Sequence, residues 1–288
     1  MKIEAYAKIN LYLDVMGKRY DGFHNIRSVM QRVSLCDYIT VTKVSGDCGS
    51  ISVNCTSANL PCDNSNLVWK AAKLFFEYTQ ISDYSVLIEI EKHIPISAGL
   101  AGGSADAAAT LTALNEIFET NLSSEELCNI GVTIGSDVPF CISGRTSIAE
   151  GRGEILRNVE SRLDLILVIA KGGEGVSTPK AYGRLDELFG DNLCEEFGDL
   201  NGMLMAIDQG DVQQVCKYLY NTFEEAVLPV HIEASKAKAF MLERGALAAM
   251  LSGSGPSVFG IFPDEYTAEA VARQLSEMGY ESHLCRSL

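Results

Sequence analysis

From Ile3 to Leu13 apolar and polar positions alternate along the chain. Ile3, Ala5, Ala7, Ile9, Leu11 and Leu13 share one face, with Tyr6, Lys8, Asn10 and Tyr12 on the other. A period of two over this length predicts a half-buried strand. Further strands are expected at Tyr38–Val44, Ile51–Cys55 and Tyr84–Glu91. Asn59–Asn66, with Pro61, Asp63 and Asn64, reads as a loop, and a helix is expected over Leu67–Thr79. Ala105–Phe118 is alanine-rich with Ala108, Leu111, Leu114 and Phe118 at helical spacing. Ser123 and Glu126 carry a capping-box pattern for a helix that closes near Gly135. Leu163–Ala170 reads as a buried strand, and helices dominate from there to about Arg244. The chain ends on strands at Ala246–Leu251, Ser257–Phe262 and Glu281–Cys285, with a helix at Thr267–Met278 before the last. Strands and helices mixed without regular alternation define the α+β class. A domain transition is placed shortly after Gly153, giving residues 1–156 and 157–288.

Composition narrows the class. At 288 residues, 47% hydrophobic and 21% charged, the chain is an ordinary globular protein of one large or two closely packed domains. Its longest apolar run is far shorter than the roughly 20 residues a bilayer span needs. Met1-Lys2-Ile3-Glu4 does not open a signal peptide. Nine cysteines without a C-x-x-C pair fit neither a disulfide framework nor a zinc site, which implies a reducing compartment, most simply the cytoplasm. The net charge of −15 argues against a nucleic-acid partner, while a few local cations can still hold a phosphorylated small molecule. Phe75-Phe76 on its helix reads as core and not as interface; the oligomeric state is not read from the sequence, and a monomer or weak homodimer is the expectation.

The first chemically informative feature is the order strand, glycine-rich loop, helix. Gly99-Leu100-Ala101-Gly102-Gly103-Ser104 lies between a predicted strand and a predicted helix. Glycines let a backbone approach a ligand closely, and a helix N-terminus offers unpaired N–H groups and a positive dipole end to an anion. No Gly-Lys-Ser/Thr follows, so the loop is not a Walker A loop, and its spacing is not that of a dinucleotide fingerprint.

With its flanks, Pro95-Ile96-Ser97-Ala98-Gly99-Leu100-Ala101-Gly102-Gly103-Ser104-Ala105-Asp106-Ala107-Ala108 resembles the ATP-binding motif of the GHMP kinases. Ala7-Lys8-Ile9-Asn10-Leu11 and Leu251-Ser252-Gly253-Ser254-Gly255-Pro256-Ser257-Val258-Phe259-Gly260 resemble two more motifs of that family, in the right order. The match narrows to members whose substrate carries a cytidine diphosphate group. It narrows on Arg19-Tyr20-Asp21-Gly22-Phe23-His24, Gly135-Ser136-Asp137-Val138-Pro139-Phe140 and Ala149-Glu150-Gly151-Arg152-Gly153-Glu154. Ala101 and Ala105 stand where that group usually has Gly and Ser, and Phe23 where Tyr is usual. An alanine at 101 is expected to be tolerable only at negative φ.

The resemblance implies a two-lobed α+β kinase fold, with a ribosomal S5 domain 2-like ATP-binding N-terminal domain and a ferredoxin-like C-terminal domain. It implies ATP with Mg2+ as phosphoryl donor, a small alcohol of isoprenoid precursor synthesis as acceptor, and no membrane. Asp137 resembles the catalytic base and Lys8 its cationic neighbour. Pro95, Gly99, Leu100, Ala101, Gly102, Gly103 and Ser104 would hold the phosphates, and Asn66, Leu67 and Lys92 would line the adenine pocket. Asn10, Phe23 and His24 would hold the substrate, with Tyr182 as the second aromatic sandwiching its base. The Ser252-Gly253-Ser254-Gly255 turn would support the catalytic face. No carboxylate cluster with metal-ligand spacing is evident, so no magnesium ligand is named.

Overall fold

The computed structural model describes residues 1–45, 48–190, 193 and 198–288. The chain runs β1 (Lys2–Lys18), β2 (His24–Lys43), β3 (Ser50–Cys55), α1 (Leu67–Thr79), β4 (Ser85–Glu91), α2 (Gly102–Ile117), α3 (Ser124–Ile134) and α4 (Val138–Ser143). It continues through β5 (Ser147–Glu150), β6 (Ile155–Asn158), β7 (Ile166–Lys171), α5 (Thr178–Phe189), α6 (Leu200–Gln209), α7 (Val212–Tyr218), β8 (Tyr220–Asn221) and α8 (Phe223–Val227). It ends with α9 (Ile232–Glu243), β9 (Ala248–Leu251), β10 (Val258–Phe262), α10 (Glu265–Glu277) and β11 (Glu281–Arg286).

The structure divides into two compact units that interleave along the sequence. Residues 1–7, 36–94 and 101–144 form the first unit, and residues 8–35, 95–100 and 145–288 the second. β1 and β2 each pass from one unit into the other.

In the first unit β4 pairs antiparallel with the second half of β2 and parallel with β3. Val86, Ile88 and Ile90, the buried face of β4, join Val68, Ala71, Ala72, Phe75 and Phe76 of α1 in one core. The Phe76 and Tyr84 rings stack at 3.6 Å within it. Small residues let α2 lie close: Ala105, Ala107, Ala108 and Ala109 are all buried, and α2 packs on α1, α3 and α4. The α1 boundaries are those expected, set by the Asn66 cap on Val68 N. The capping box of α3 forms with both hydrogen bonds in place.

In the second unit β11, β7, β10 and β9 form an antiparallel sheet in that order, with α9 and α10 packed on it. Leu167, Val168, Ile169 and Ala170 are buried throughout, which is why β7 reads as a continuous apolar run. The strand expected from Leu163 begins only at Ile166, past the exposed Asp164. Strand order and connectivity are those of a ferredoxin-like sheet. The first half of β2 pairs with β5, and β5 with β6.

One expectation for β1 is corrected. Lys8, Asn10 and Tyr12, assigned to a polar outer face, are 4%, 1% and 1% exposed, so the middle of this strand is buried on both sides. Strand pairing and further chain cover what the alternation left open to water.

A buried ionic cluster fastens the first unit where the glycine loop enters α2. Lys92 Nζ donates to Asp37 and, at 2.7 Å, to Asp106 Oδ2. Asp37 Oδ1 also accepts the backbone N–H groups of His93 (2.5 Å) and Ile94 (2.7 Å). One cation thus joins β2, the end of β4 and the first turns of α2. Burial would lower the Lys92 pKa, but Asp106 and Asp37 outweigh it and raise it. Burial pushes the Asp106 carboxyl up to about 7, against the pull of Lys92 and with the Asp37 charge adding to the rise.

This carboxyl stands above its ordinary value of 3.8, so its contribution to stability is fully present below about pH 4 and is lost as pH rises through about 7. Asp106→Asn removes the titration while keeping an acceptor for Lys92. In urea unfolding between about pH 5 and about pH 8, wild type should lose stability relative to the variant as pH rises. Parallel curves would assign the pH dependence to other groups.

Candidate active site

The backbone of the glycine loop is folded by alternate left-handed residues: Ser97 (φ 53°), Gly99 (φ 76°) and Ala101 (φ 57°). Gly99 has no room for a side chain, since a Cβ would overlap the Ser252 carbonyl oxygen. Ser252 Oγ donates to Gly99 O at 3.0 Å, and Ser257 N to Ala98 O at 3.2 Å. The Ser252–Gly255 turn is therefore the seat on which this loop rests. On its other side, Lys8 N donates to Leu100 O at 3.1 Å, so the loop and the Lys8 strand are joined.

Ala101 corrects an expectation. It lies at φ 57°, ψ 26° as the N-cap of α2, where negative φ was expected. A Cβ in this region costs about 1–2 kcal/mol. Gly102 and Gly103 follow as the first residues of α2. At Gly102 a Cβ would lie 3.0 Å from both Lys92 Nζ and Ile94 Cγ2, and at Gly103 3.2 Å from Leu67 Cδ1. Neither position admits a side chain without displacing a neighbour. The result is a close-approach backbone leading into the N–H groups of a long helix, a geometry that fits phosphate.

Lys8 Nζ donates to Asn10 Oδ1 at 2.8 Å, and Asn10 Nδ2 to Ser28 Oγ at 2.8 Å. Ser28 Oγ donates in turn to Tyr12 O at 2.6 Å. Lys8 and Asn10 thus act as one buried pair. Asp137 is the half-buried N-cap of α4, with no side-chain hydrogen bond to the helix it opens. In the same unit Ser104 Oγ lies 3.7 Å from where a Gly135 Cβ would sit, which brings the end of the glycine loop to the segment carrying Asp137. Lys8 and Asp137 belong to different units.

The residues expected at a base form a different cluster. The His24 and Tyr182 rings stack directly, with centroids 4.7 Å apart at 12°. They leave no gap for a third ring between them. His24 Nε2 meets Asp186 Oδ1 at 2.6 Å, and Lys18 Nζ donates to Asp186 Oδ2 at 2.7 Å. Phe23 is 53% exposed and carries the Arg152 guanidinium over its ring at 4.8 Å.

Two residues expected at adenine have other bonds. Asn66 Oδ1 caps α1 and its Nδ2 donates to Pro61 O at 2.6 Å, while the Lys92 ammonium turns inward to Asp37 and Asp106. Leu67 does border the loop, at Gly103. Asp186, Arg152, Ser28 and Asn221 were not anticipated. Asn221 Nδ2 donates to Leu251 O and Gly253 O at 2.8 and 2.9 Å, holding the turn that seats Gly99. Asp186 could have been found as the residue one helical turn beyond Tyr182. Among the described residues, no three His, Cys, Asp or Glu side chains form a group that could hold a metal ion, and no helix is long and apolar enough to cross a membrane. The eight described cysteines are free thiols.

Comparison with known proteins places this geometry in a class. The sequence model of the GHMP kinases N terminal domain matches residues 66–145, and that of the GHMP kinases C terminal matches residues 203–281. Both halves of the chain are therefore built as GHMP kinase domains. A 4-diphosphocytidyl-2-C-methyl-D-erythritol kinase of Caldicellulosiruptor bescii is 44% identical over 96% of this chain and 94% of its own. One of Exiguobacterium sibiricum is 42% identical over 99% and 97%. A crystal structure of 4-(cytidine 5'-diphospho)-2C-methyl-D-erythritol kinase superposes with a TM-score of 0.82 at 28% identity, over 100% of this chain and 99% of that one. The chain belongs to the GHMP kinases, in the family of the 4-diphosphocytidyl-2-C-methyl-D-erythritol kinases.

The loop geometry gives two opposite expectations. Gly99→Ala meets both a left-handed backbone and the Ser252 carbonyl, so the KM for ATP should rise at least about ten-fold, given strain of about 1–3 kcal/mol or more. Unchanged ATP kinetics would mean that the Ser252–Gly255 seat does not set the loop. Ala101→Gly removes a Cβ from a left-handed position and should raise the unfolding free energy by up to about 1 kcal/mol in denaturant titration. A loss of stability would show that Ala101 makes contacts worth more than its strain.

Proposed function

We propose that the chain transfers the γ-phosphoryl group of ATP to the 2-hydroxyl of 4-diphosphocytidyl-2-C-methyl-D-erythritol, in the non-mevalonate route to isoprenoid precursors. The observation that carries the chemistry is the joining of the glycine loop to the Lys8 strand through Lys8 N and Leu100 O. It sets an ammonium-bearing strand against the backbone that would cradle the phosphates.

In this reading the loop from Pro95 to Ser104 and the first N–H groups of α2 hold the nucleotide phosphates, with Leu67 beside them. Asp137 takes the proton of the attacking hydroxyl as its oxygen bonds to the γ-phosphorus and the bond to the ADP oxygen breaks. Lys8, oriented by Asn10, balances charge developing on the phosphoryl oxygens. Mg2+ bound to the ATP phosphates would neutralise their charge, taking its oxygen ligands from the nucleotide and water. Phe23 and His24 hold the cytidine diphosphate group, and Tyr182 serves by backing His24. Residues 1–156 carry the nucleotide and 157–288 support the substrate side. The enzyme works in the cytoplasm as a monomer or weak homodimer, without nucleic acid or membrane.

The test is ADP release from Mg-ATP on adding the cytidyl substrate, with homoserine and mevalonate as comparators. Turnover with the cytidyl substrate alone is expected; turnover with a comparator instead would discard the roles of Phe23 and His24. Asp137→Asn should then lower kcat by about 10²–10⁴-fold with the KM for ATP little changed, as for loss of a general base. Lys8→Met should also act mainly on kcat. A variant at Asp137 that keeps its kcat would remove this residue from the chemistry.

A further inference from the structure

Within the second unit, Ser28 on β2 is fully buried, and Lys8 and Asn10 on β1 are nearly so. Lys8 and Asn10 stand two residues apart on their strand, so they share a face. Ser28 alternates on β2 with Ile26 and Met30, both buried and apolar. An alanine there would bury with no partner to find, whereas a buried hydroxyl has to be satisfied. Stability alone gives no reason for a serine at this position.

The protons of the three groups can be placed in one way. A carbonyl oxygen only accepts, so the single Ser28 hydroxyl hydrogen goes to Tyr12 O at 2.6 Å. What Ser28 Oγ offers Asn10 at 2.8 Å is then a lone pair, and the Asn10 atom facing it must be the donor, Nδ2. That turns Oδ1 to the Lys8 ammonium, which can only donate and lies at 2.8 Å. With the amide reversed, a donor would face the ammonium and an acceptor would face the Ser28 lone pair. Ser28 thus holds one end of the amide whose other end holds Lys8. A lysine head is a compact charge on a flexible stem and does not aim itself.

We infer that Ser28 is a positioning residue for phosphoryl transfer, acting through Asn10 to hold the Lys8 ammonium where charge develops on the transferred group. The inference rests on the proposed function, since it assumes that Lys8 meets the phosphoryl oxygens. Without the hydroxyl, Asn10 Nδ2 loses its bond to Ser28 in a buried place, and the amide is free to swing and to release Lys8. Displacing a charge that acts in the transition state falls on kcat. The glycine loop is tied to the backbone of Lys8 and to Ser252, so binding of ATP should stay as it was.

The experiment is a double-mutant cycle of Ser28→Ala with Lys8→Met, read as kcat and the KM for ATP. Ser28→Ala alone should lower kcat at least about ten-fold and leave the KM for ATP within about two-fold. In the Lys8→Met background the same change should cost less than about two-fold, because no ammonium is left to position. Ser28→Thr, which keeps the hydroxyl, should hold kcat within about three-fold of wild type. If Ser28→Ala does not fold, Ser28→Cys carries the same comparison, since a thiol is close in size but only a weak hydrogen-bonding group. Equal losses in both backgrounds, a loss confined to the KM for ATP, or Ser28→Thr as slow as Ser28→Ala would each overturn the inference. So would an unchanged kcat in Ser28→Ala while Lys8→Met is slow, with the proposed function left intact. Absence of wild-type turnover with the cytidyl substrate, or full kcat in Lys8→Met, instead removes the proposed reading of the site, and the role of Ser28 with it.

Discussion

A backbone hydrogen bond from Lys8 N to Leu100 O fixes the position of the glycine loop, and much of the surrounding architecture serves to keep that bond where it is. A loop with left-handed residues at Ser97, Gly99 and Ala101 has no ladder of its own to hold it. It is pinned to β1 at Leu100, to Ser257 at Ala98 and to the Ser252–Gly255 turn at Gly99, and that turn is pinned by Asn221. Each bond is an ordinary amide interaction worth about 0.5–1.5 kcal/mol net. Their effect lies in number and direction: they hold a ligand-facing backbone in a shape it would not keep alone.

Polar burial follows the same logic. Lys8, Asn10, Ser28, Asp37 and Asp106 are among the most enclosed polar side chains, and each has a hydrogen-bond partner. The two apolar cores, around α1 and α2 in one unit and around α9 and α10 in the other, supply stability without such groups. Buried polar groups tolerate few arrangements, because an unmade bond in low dielectric is expensive. That intolerance is useful where geometry must be reproducible.

This division of labour explains what could be read from the chain. α1, with its Asn66 cap, and α3, with its capping box, were legible because local chemistry decides them. Strands β7, β9 and β10 of the C-terminal sheet were legible because they are apolar runs between turns. The first half of β2 was not, since Ser28 and Gln31 are polar yet buried and so erase the alternation. α4 was missed because Pro139 reads as a breaker, though a proline in the first turn of a helix removes no needed bond. The motif residues around the loop were legible only by resemblance, and partners such as Asp186 and Asn221 lie far along the sequence from what they hold. Ala101 shows the limit of local reasoning: its backbone angle is set by the loop's anchors and not by its own preference.

The Lys92 cluster has a consequence for heat. Charge taken out of water is penalised by lost hydration, and hydration of ions carries a strongly negative entropy. The penalty therefore shrinks as temperature rises, while the attraction of Lys92 for Asp37 and Asp106 does not depend on ordered water. A joint that weighs against the fold in the cold is carried more cheaply near the upper end of the working range, so the entry to α2 is held best at the temperatures where the surrounding apolar packing is closest to giving way.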